Sequence, residues 1–594
     1  MSATPPRHGS PRWFVQAAVL AVVLAAVGKA SARCPNTPAV SCPRTPWRSF
    51  DGSCNNPQDS TRGMANTPLI RILPATYADG RHQPRRGFGN ATLPSARLLV
   101  TTFLPDRNAP SRSSNIMFMT WAQLVSHDAA RLQAPFPRAN SACCDAEEPT
   151  DQCSRIPVPD DDPFFPRFGV KCFGVGRAAA APCSGTAFEQ NSLVSHYLDA
   201  SFVYGSNAAT ANRLREGRGG RLRTQVIMGQ EFLPRSAGGG LDAGDGRVTI
   251  TPMLALLQTL WLLEHNRVAR RLSDMNVLWD DERLFQETRR IVIAQWQLIT
   301  YRDFLPKLIG AAAVDKNGLR PSVTSFSQDY DPSVDASTAN DFTTGAFRSF
   351  HSMVANDVRF GGGGGEMPGR PMLLSGVPAE AILSPTNFRR AALGTLFQPR
   401  QGQDRFIAAE ITTKMFAGNS PFGGDLLATD IQRARDNGLG SYNDYREQCN
   451  LPRAKEWTDF TDTIPSQHIE ALSEHYEKPD DVDVMVGGLL EQWTDSSSEP
   501  SFTSPVFRCL VVDQFKRWKT GDSFFFDRLG QFALAQLRTL NDTSLARILC
   551  DNVPGIVSVP RDAFSRPGAG GTQEVRCSTI RGINLNAWRE ARRG

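Results

Sequence analysis

The chain has 594 residues, 40% of them hydrophobic and 21% charged, with a formal net charge of +5 at pH 7. That is ordinary globular usage, which excludes a disordered or fibrous chain and leaves room for a large core. The charge is equally uninformative about partners, because residues 1–32 read as a secretory signal peptide. Arg7 and Arg12 precede an apolar run at 13–27, and Ala30-Ser-Ala32 offers a small-residue cleavage site. Removal of that leader takes Arg7, Arg12 and Lys29 with it, so the 65 basic residues become 62 against 60 acidic. A near-neutral balance gives no argument for nucleic-acid or membrane-surface binding. No later stretch approaches the roughly 20 apolar residues of a transmembrane helix, so no transmembrane segment is expected.

All twelve cysteines follow the leader, and their intervals lack the paired C-x-x-C spacing of zinc ribbons. In an exported chain this favours disulfides over metal. Asn90-Ala-Thr92 and Asn541-Asp-Thr543 are glycosylation sequons that fit the same route. Residues 33–594 are expected to form a single secreted domain.

Its N-terminal part, from 42 to about 109, is rich in Pro, Gly, Arg and Asn and reads as an extended arm dominated by loops. A helix is expected over 115–132. Within it Gln123 and His127 stand four apart and share a face, and Asp128 points elsewhere. Residues 141–185 hold Cys143, Cys144, Cys153, Cys172 and Cys183 and should be a stapled loop region whose pairing the spacing does not fix. An ordered turn at 191–206 and a short helix over 207–221 follow. Strong helical periodicity then covers 252–272, which opens on Pro252, and 280–305. A further helix is expected over 337–354 with His351 on it. The Gly361–Gly365 run reads as a flexible surface loop. Shorter helical patterns recur around 378–383, 406–414, 426–435, 444–449, 467–474, 504–518 and 527–540. Long helices and sparse strand alternation predict a mainly α fold with irregular connections and little β.

Of the eight histidines, His127, His265 and His351 stand in apolar helical surroundings. Neither H-E-x-x-H nor H-x-H occurs, so a mononuclear zinc enzyme is not indicated. Six segments carry the functional reading: Trp121-Ala-Gln-Leu-Val-Ser-His127-Asp128, Tyr197-Leu-Asp-Ala-Ser-Phe-Val-Tyr-Gly-Ser206, Leu260-Trp-Leu-Leu-Glu-His-Asn-Arg267, Ala346-Phe-Arg-Ser-Phe-His351, Asp430-Ile-Gln-Arg-Ala-Arg-Asp-Asn-Gly438, and Cys577-Ser-Thr with Asn586-Ala-Trp-Arg-Glu590. In this order they resemble the animal haem peroxidases of the peroxidase–cyclooxygenase superfamily, over about 47–588. Secreted chorion, salivary and peroxinectin-like peroxidases of arthropods are the nearest in pattern.

The resemblance implies a secreted, extracellular enzyme whose cofactors are haem b and calcium. It would reduce hydrogen peroxide, oxidise phenolic or tyrosyl donors, and act on extracellular-matrix or cell-surface partners. His127 is expected to be the distal acid/base, with Gln123 beside it and Arg247 stabilising charge as the O–O bond breaks. His351 is expected to ligate the haem iron, with Arg348 on a propionate and Asp430 behind the imidazole. His265 maps to a structural segment. Asp128, Ser195, Tyr197 (through its carbonyl), Asp199 and Ser201 are expected to hold calcium in an oxygen cage.

Three departures from the family pattern matter. Ser126 and Ile250 replace the carboxylates that tether haem by ester bonds, and Thr251 replaces a methionine link, so haem is expected to be held noncovalently. Asp430 replaces an asparagine of mammalian relatives and should favour one-electron oxidation of phenols over chloride oxidation. The same alignment implies disulfides Cys42–Cys54, Cys449–Cys509 and Cys550–Cys577 and leaves Cys34 without an assigned partner. The competing reading is an adhesion or matrix-binding protein on the same fold with weak or lost catalysis. Ser126 and Ile250 support it; the retained His127, Arg247 and His351, and the lack of an R-G-D tripeptide, count against it.

Overall fold

The computed structural model describes residues 40–132, 141–145, 149–181, 187–363, 365, 367–492, 503–568 and 571–590. The expected signal peptide, Cys34 and Cys183 lie outside them. Among the described residues the architecture is helical, with β-structure confined to two-stranded pairs. No described helix is long and apolar enough to cross a membrane.

The arm runs without long regular structure to α1 (Ala96–Phe103), a helix the sequence reading had merged into the arm. Ser95 caps it by accepting from Arg97 N, and Arg97 then binds Asp162 at 2.6 Å and Asp425 at 2.7 Å inside the protein. The arm is fixed along its length. Trp47 Nε1 donates to Glu287 Oε1 at 2.9 Å, and the buried Arg48–Asp522 pair closes at 2.8 Å. Breaking such a buried pair costs about 3–5 kcal/mol, because it leaves one charge uncompensated.

Helix α2 (Ile116–Ala129) is the central element. Asn115 caps it from Phe118 N, and the same side chain donates to Leu396 O and Ala563 O. Its first two turns are buried on every side, as expected of a helix that is apolar all round. Ala130 is already extended, so the helix stops short of the expected 132. Two long helices flank it. α3 (Pro252–Met275) is capped by the Thr251 hydroxyl and has Pro252 in its first turn; α4 (Asp281–Ile299) is capped by Asp280. Each supplies one tryptophan to a shared core. Trp121 lies 4.4 Å from Trp296 and 6.0 Å from Trp261 between ring centroids, and Trp261 meets Trp296 edge-on at 5.8 Å.

Residues 141–185 contain more order than a loop. β1 (Cys153–Pro157) and β2 (Cys172–Gly176) form an antiparallel hairpin, stapled to the preceding turn by Cys143–Cys153 and Cys144–Cys172. The three disulfides implied by the resemblance are present as Cys42–Cys54, Cys449–Cys509 and Cys550–Cys577.

Two expectations need correction. The helix expected over 337–354 is a π-turn (Asp341–Gly345) running into a 3-10 segment (Ala346–Met353), so His351 does not sit on an α-helix. Widened turns of this kind concentrate at functional sites. The glycine run is only in part the expected surface loop: Gly365 is exposed, but Gly361 and Gly363 are buried. A Cβ on Gly363 would lie 2.0 Å from the Phe397 ring, so the glycines are there for close packing. Three further helices complete the frame of the site: α5 (Leu426–Asp436), α6 (Val484–Leu490) and α7 (Pro505–Gly521).

Candidate active site

The site lies where α2 packs against the 3-10 segment Ala346–Met353. Gln123, Ser126 and His127 share one face of α2, with Gln123 and Ser126 half-buried and His127 6% exposed. The His127 Nδ1 atom is buried and has no hydrogen-bond partner. Burial is the main force pushing the imidazole well below its usual pKa, and the Arg247 guanidinium adds to it. Both forces favour the neutral ring.

Arg247 is held on all sides. It sits in a 3-10 turn (Gly246–Thr249) capped by Asp245. Asp245 receives Arg247 Nε at 2.9 Å and Nη2 at 2.7 Å, while His127 O and Ala130 O accept from Nη2 and Nη1 at 2.9 and 3.0 Å. The guanidinium thus closes the C-terminal end of α2 beside His127. Asp245 was missed in the sequence. Its signal is the Asp-x-Arg spacing at the start of a turn, where a carboxylate caps a backbone N–H two residues on. Burial opposes ionisation of Asp245, but Arg247 overrides it and keeps the carboxyl below its ordinary range.

On the opposite wall His351 is 26% exposed at its side chain, although the residues flanking it, Phe350 and Ser352, are buried. Asp430, fully buried on α5, meets His351 Nδ1 at 2.5 Å and accepts from Arg348 Nη1 at 2.9 Å. Burial would raise the Asp430 pKa, but the charges of His351 and Arg348 prevail and lower it. Arg348 also donates from Nε to Thr343 O at 3.2 Å, and its Nη2 makes no protein hydrogen bond among the described residues. With Nδ1 committed to Asp430, the Nε2 atom of His351 is the nitrogen left for a metal. His127 feels the Arg348 charge as well, so the two walls belong to one electrostatic unit.

Asp128 turns away from this cleft, as expected. Its carboxylate accepts from Ala200 N at 3.1 Å, Ser201 N at 2.5 Å and Trp296 Nε1 at 2.7 Å, and Ser201 Oγ donates to its carbonyl at 2.7 Å. Ser195 Oγ donates to Asp199 Oδ2 at 2.8 Å, and Asp199 Oδ1 is buried without a partner. Burial raises both carboxyl groups, Asp199 to about 6, and for Asp128 repulsion from Asp199 adds to it. Tyr197 points its phenol outward to Arg62 O at 2.8 Å. Among the described residues no group of three or more His, Cys, Asp or Glu could hold a metal, so any cation here would rest on hydroxyl and carbonyl oxygens as well as the two carboxylates. His265 is satisfied by Tyr204 Oη at 2.9 Å and Gly220 O at 2.8 Å, in line with a structural role.

The three positions linked to haem tethering carry no group able to form such a bond. Ser126 lies on the His127 face, Ile250 packs partly buried against the core, and the Thr251 hydroxyl is occupied as the cap of α3.

A neutral imidazole beside a clamped guanidinium, facing an imidazole held by a carboxylate, is an arrangement for peroxide chemistry on a histidine-ligated metal. Comparison with known proteins agrees with that class. The model of the animal haem peroxidases matches residues 47–564. A peroxidase of Drosophila melanogaster is 35% identical over 590 residues, covering 93% of this chain and 84% of that protein. The chorion peroxidase of the same organism is 36% identical, covering 94% and 72%. Among solved structures, peroxidase A from Dictyostelium discoideum superposes with a TM-score of 0.73 at 26% identity, covering 88% of this chain and 99% of that one. The chain belongs to the animal haem peroxidase family. It is a haem peroxidase, and hydrogen peroxide is its oxidant. The residues present fit the haem: His351 offers one free ring nitrogen, and Arg348 one uncommitted guanidinium nitrogen.

Proposed function

We propose that this protein is a secreted peroxidase that uses hydrogen peroxide to oxidise phenolic donors, including tyrosyl groups of an extracellular matrix. The observation that carries the reading is the pairing of a neutral His127 with Arg247 across from the Asp430-held His351. Haem, ligated by His351, supplies the two-electron reduction of peroxide and the one-electron oxidations that follow. His127 accepts the proton of the attacking peroxide and returns it to the departing oxygen, so the bond breaks heterolytically and water leaves. Arg247 stabilises the negative charge that gathers on that oxygen, and its clamp by Asp245 spares it reorganisation. Gln123 positions peroxide or water on the same face. Arg348 binds a propionate through Nη2, and Asp430 gives the His351 imidazole more anionic character.

Haem in this chain is held by ligation, charge and packing alone, because Ser126, Ile250 and Thr251 provide no tether. Asp128 and Asp199, with oxygens of Ser195, Tyr197 and Ser201, would hold calcium, whose charge would offset the repulsion of the two buried carboxylates. Such binding would anchor the residue next to His127. The test is an absorption spectrum of the purified protein, followed by peroxide and then a phenol. A haem band with peroxide-driven phenol oxidation supports the reading, and a folded protein that takes up no haem moves it to a binding module. Acid–organic extraction should release the haem completely; pigment left on the polypeptide would refute noncovalent attachment.

A further inference from the structure

A cavity of about 440 Å³ is lined by none of Gln123, His127, Arg247, Arg348, His351 and Asp430. Its lining includes Ser349, two residues before His351, and mixes apolar side chains (Phe406, Leu489, Leu490 and Phe507) with polar ones such as Gln403, Gln467 and His468. Gly488 lets the Phe507 ring close in, since a Cβ there would stand 2.3 Å from that ring. The volume is within the usual range for small-molecule sites, which are apolar with a few placed polar groups.

The mouth is cationic. Arg107 and Arg405 both lie over the Phe406 ring, at 5.1 and 4.7 Å from its centroid. Arg405 donates to Phe103 O at 2.9 Å, yet among the described residues neither guanidinium has a carboxylate within ion-pairing distance. The nearby Asp404 carboxylate accepts from Phe406 N at 2.8 Å and is partly buried. Inside, Glu491 is not free to bind a ligand: its two oxygens accept from Tyr442 Oη and Val506 N. An apolar, aromatic-walled interior under two unpaired guanidiniums matches a ligand with an aryl body and an anionic head.

We propose that this cavity binds a small aryl carboxylate, ring inward and carboxylate across Arg107 and Arg405. Such a ligand buries its ring against Phe406 and Phe507 and adds a second carboxylate where Asp404 alone acts on the two arginines and pairs directly with neither. The site is separate from the face of α2 that bears Gln123 and His127, and it stands or falls independently of the donor chemistry proposed above.

The experiment is isothermal titration of the haem-loaded protein with 3-phenylpropanoate, beside its neutral alcohol analogue 3-phenylpropanol. Binding of the carboxylate roughly tenfold or more tighter than the alcohol is expected. Arg107→Glu, at an exposed position that should not disturb folding, and Arg405→Gln should each weaken the carboxylate roughly tenfold or more. Gln123→Leu, on the haem-cleft face, should leave the affinity unchanged. No measurable heat of binding, equal affinity for acid and alcohol, or loss of binding only in Gln123→Leu would overturn the proposal.

Discussion

His127 and His351 are the same side chain in two opposed settings, on two elements that pack together. His127 rides a regular, capped α-helix, is almost wholly buried, and has cations for neighbours. His351 rides a π-turn and 3-10 segment, is partly open to the cleft, and has a buried carboxylate on its Nδ1. Burial, helped by the cations around it, disfavours protonation of the first. The anion behind the second draws its N–H and so strengthens its other nitrogen as a ligand. The identity of the side chain decides little here; burial and the nearest charges distinguish the two settings.

The most direct way to break this contrast is at His127. His127→Ala should slow peroxide-driven oxidation by roughly 10²–10⁴-fold with haem retained, measured by stopped-flow reaction with peroxide. Arg247→Gln should cost roughly 10²–10³-fold. It should also move the acid limb of the rate profile to higher pH, because Arg247 is one of the forces depressing the His127 pKa. In the unaltered protein that limb lies well below pH 6.5, so rates should be flat between pH 7 and 6. A limb near 6.5 in the unaltered protein would dissolve the distinction between the two histidines.

On the other wall, Asp430→Asn keeps a hydrogen-bond acceptor but removes the charge. It should shift the haem reduction potential to more positive values in spectroelectrochemical titration, with a loss of roughly 10–100-fold in activity. An unchanged potential would mean that the carboxylate serves only to hold Arg348. Calcium chelation should lower the thermal midpoint, since a ligand present at 100 times its Kd stabilises by about 2.7 kcal/mol. Glu491 is a control outside both walls. Its pKa is raised by burial from 4.5 to about 7, so the folded state holds a proton that the unfolded state gives up earlier. Stability from this group is therefore present below pH 4.5 and declines as pH rises towards 7. Glu491→Gln should flatten that part of the stability profile while leaving peroxide reactivity as it was.

Much of this contrast was legible in the sequence, for local reasons. Gln123 and His127 share a face because helical spacing puts them there, and the Pro252 and Asp280 starts follow from capping chemistry. The 3-10 geometry around His351 was not legible, because its apolar spacing is also that of an α-helix and nothing in 337–354 marks a change of pitch. Burial of Gly361 and Gly363 was hidden for a related reason: glycine for freedom and glycine for close contact look alike until Phe397 is placed. Trp296, which donates to Asp128 from 168 residues away, belongs to the contacts that only a tertiary structure supplies. Asp245 was within reach, two residues before Arg247 in a turn.

The Arg48–Asp522 pair has a consequence for how the protein is made. Its partners are 474 residues apart, and Asn55 also donates to Asp522, at 2.7 Å. Arg48 moreover exerts its charge on Asp199, in the loop that packs behind Asp128 and His127. In a chain emerging from the ribosome, Arg48 waits for an aspartate that arrives late in synthesis. Until then Arg48 has no Asp522 to pair with, and the arm rests on its other ties, among them Trp47 with Glu287. The Arg48 tie is thus among the last long-range contacts that the growing chain can complete.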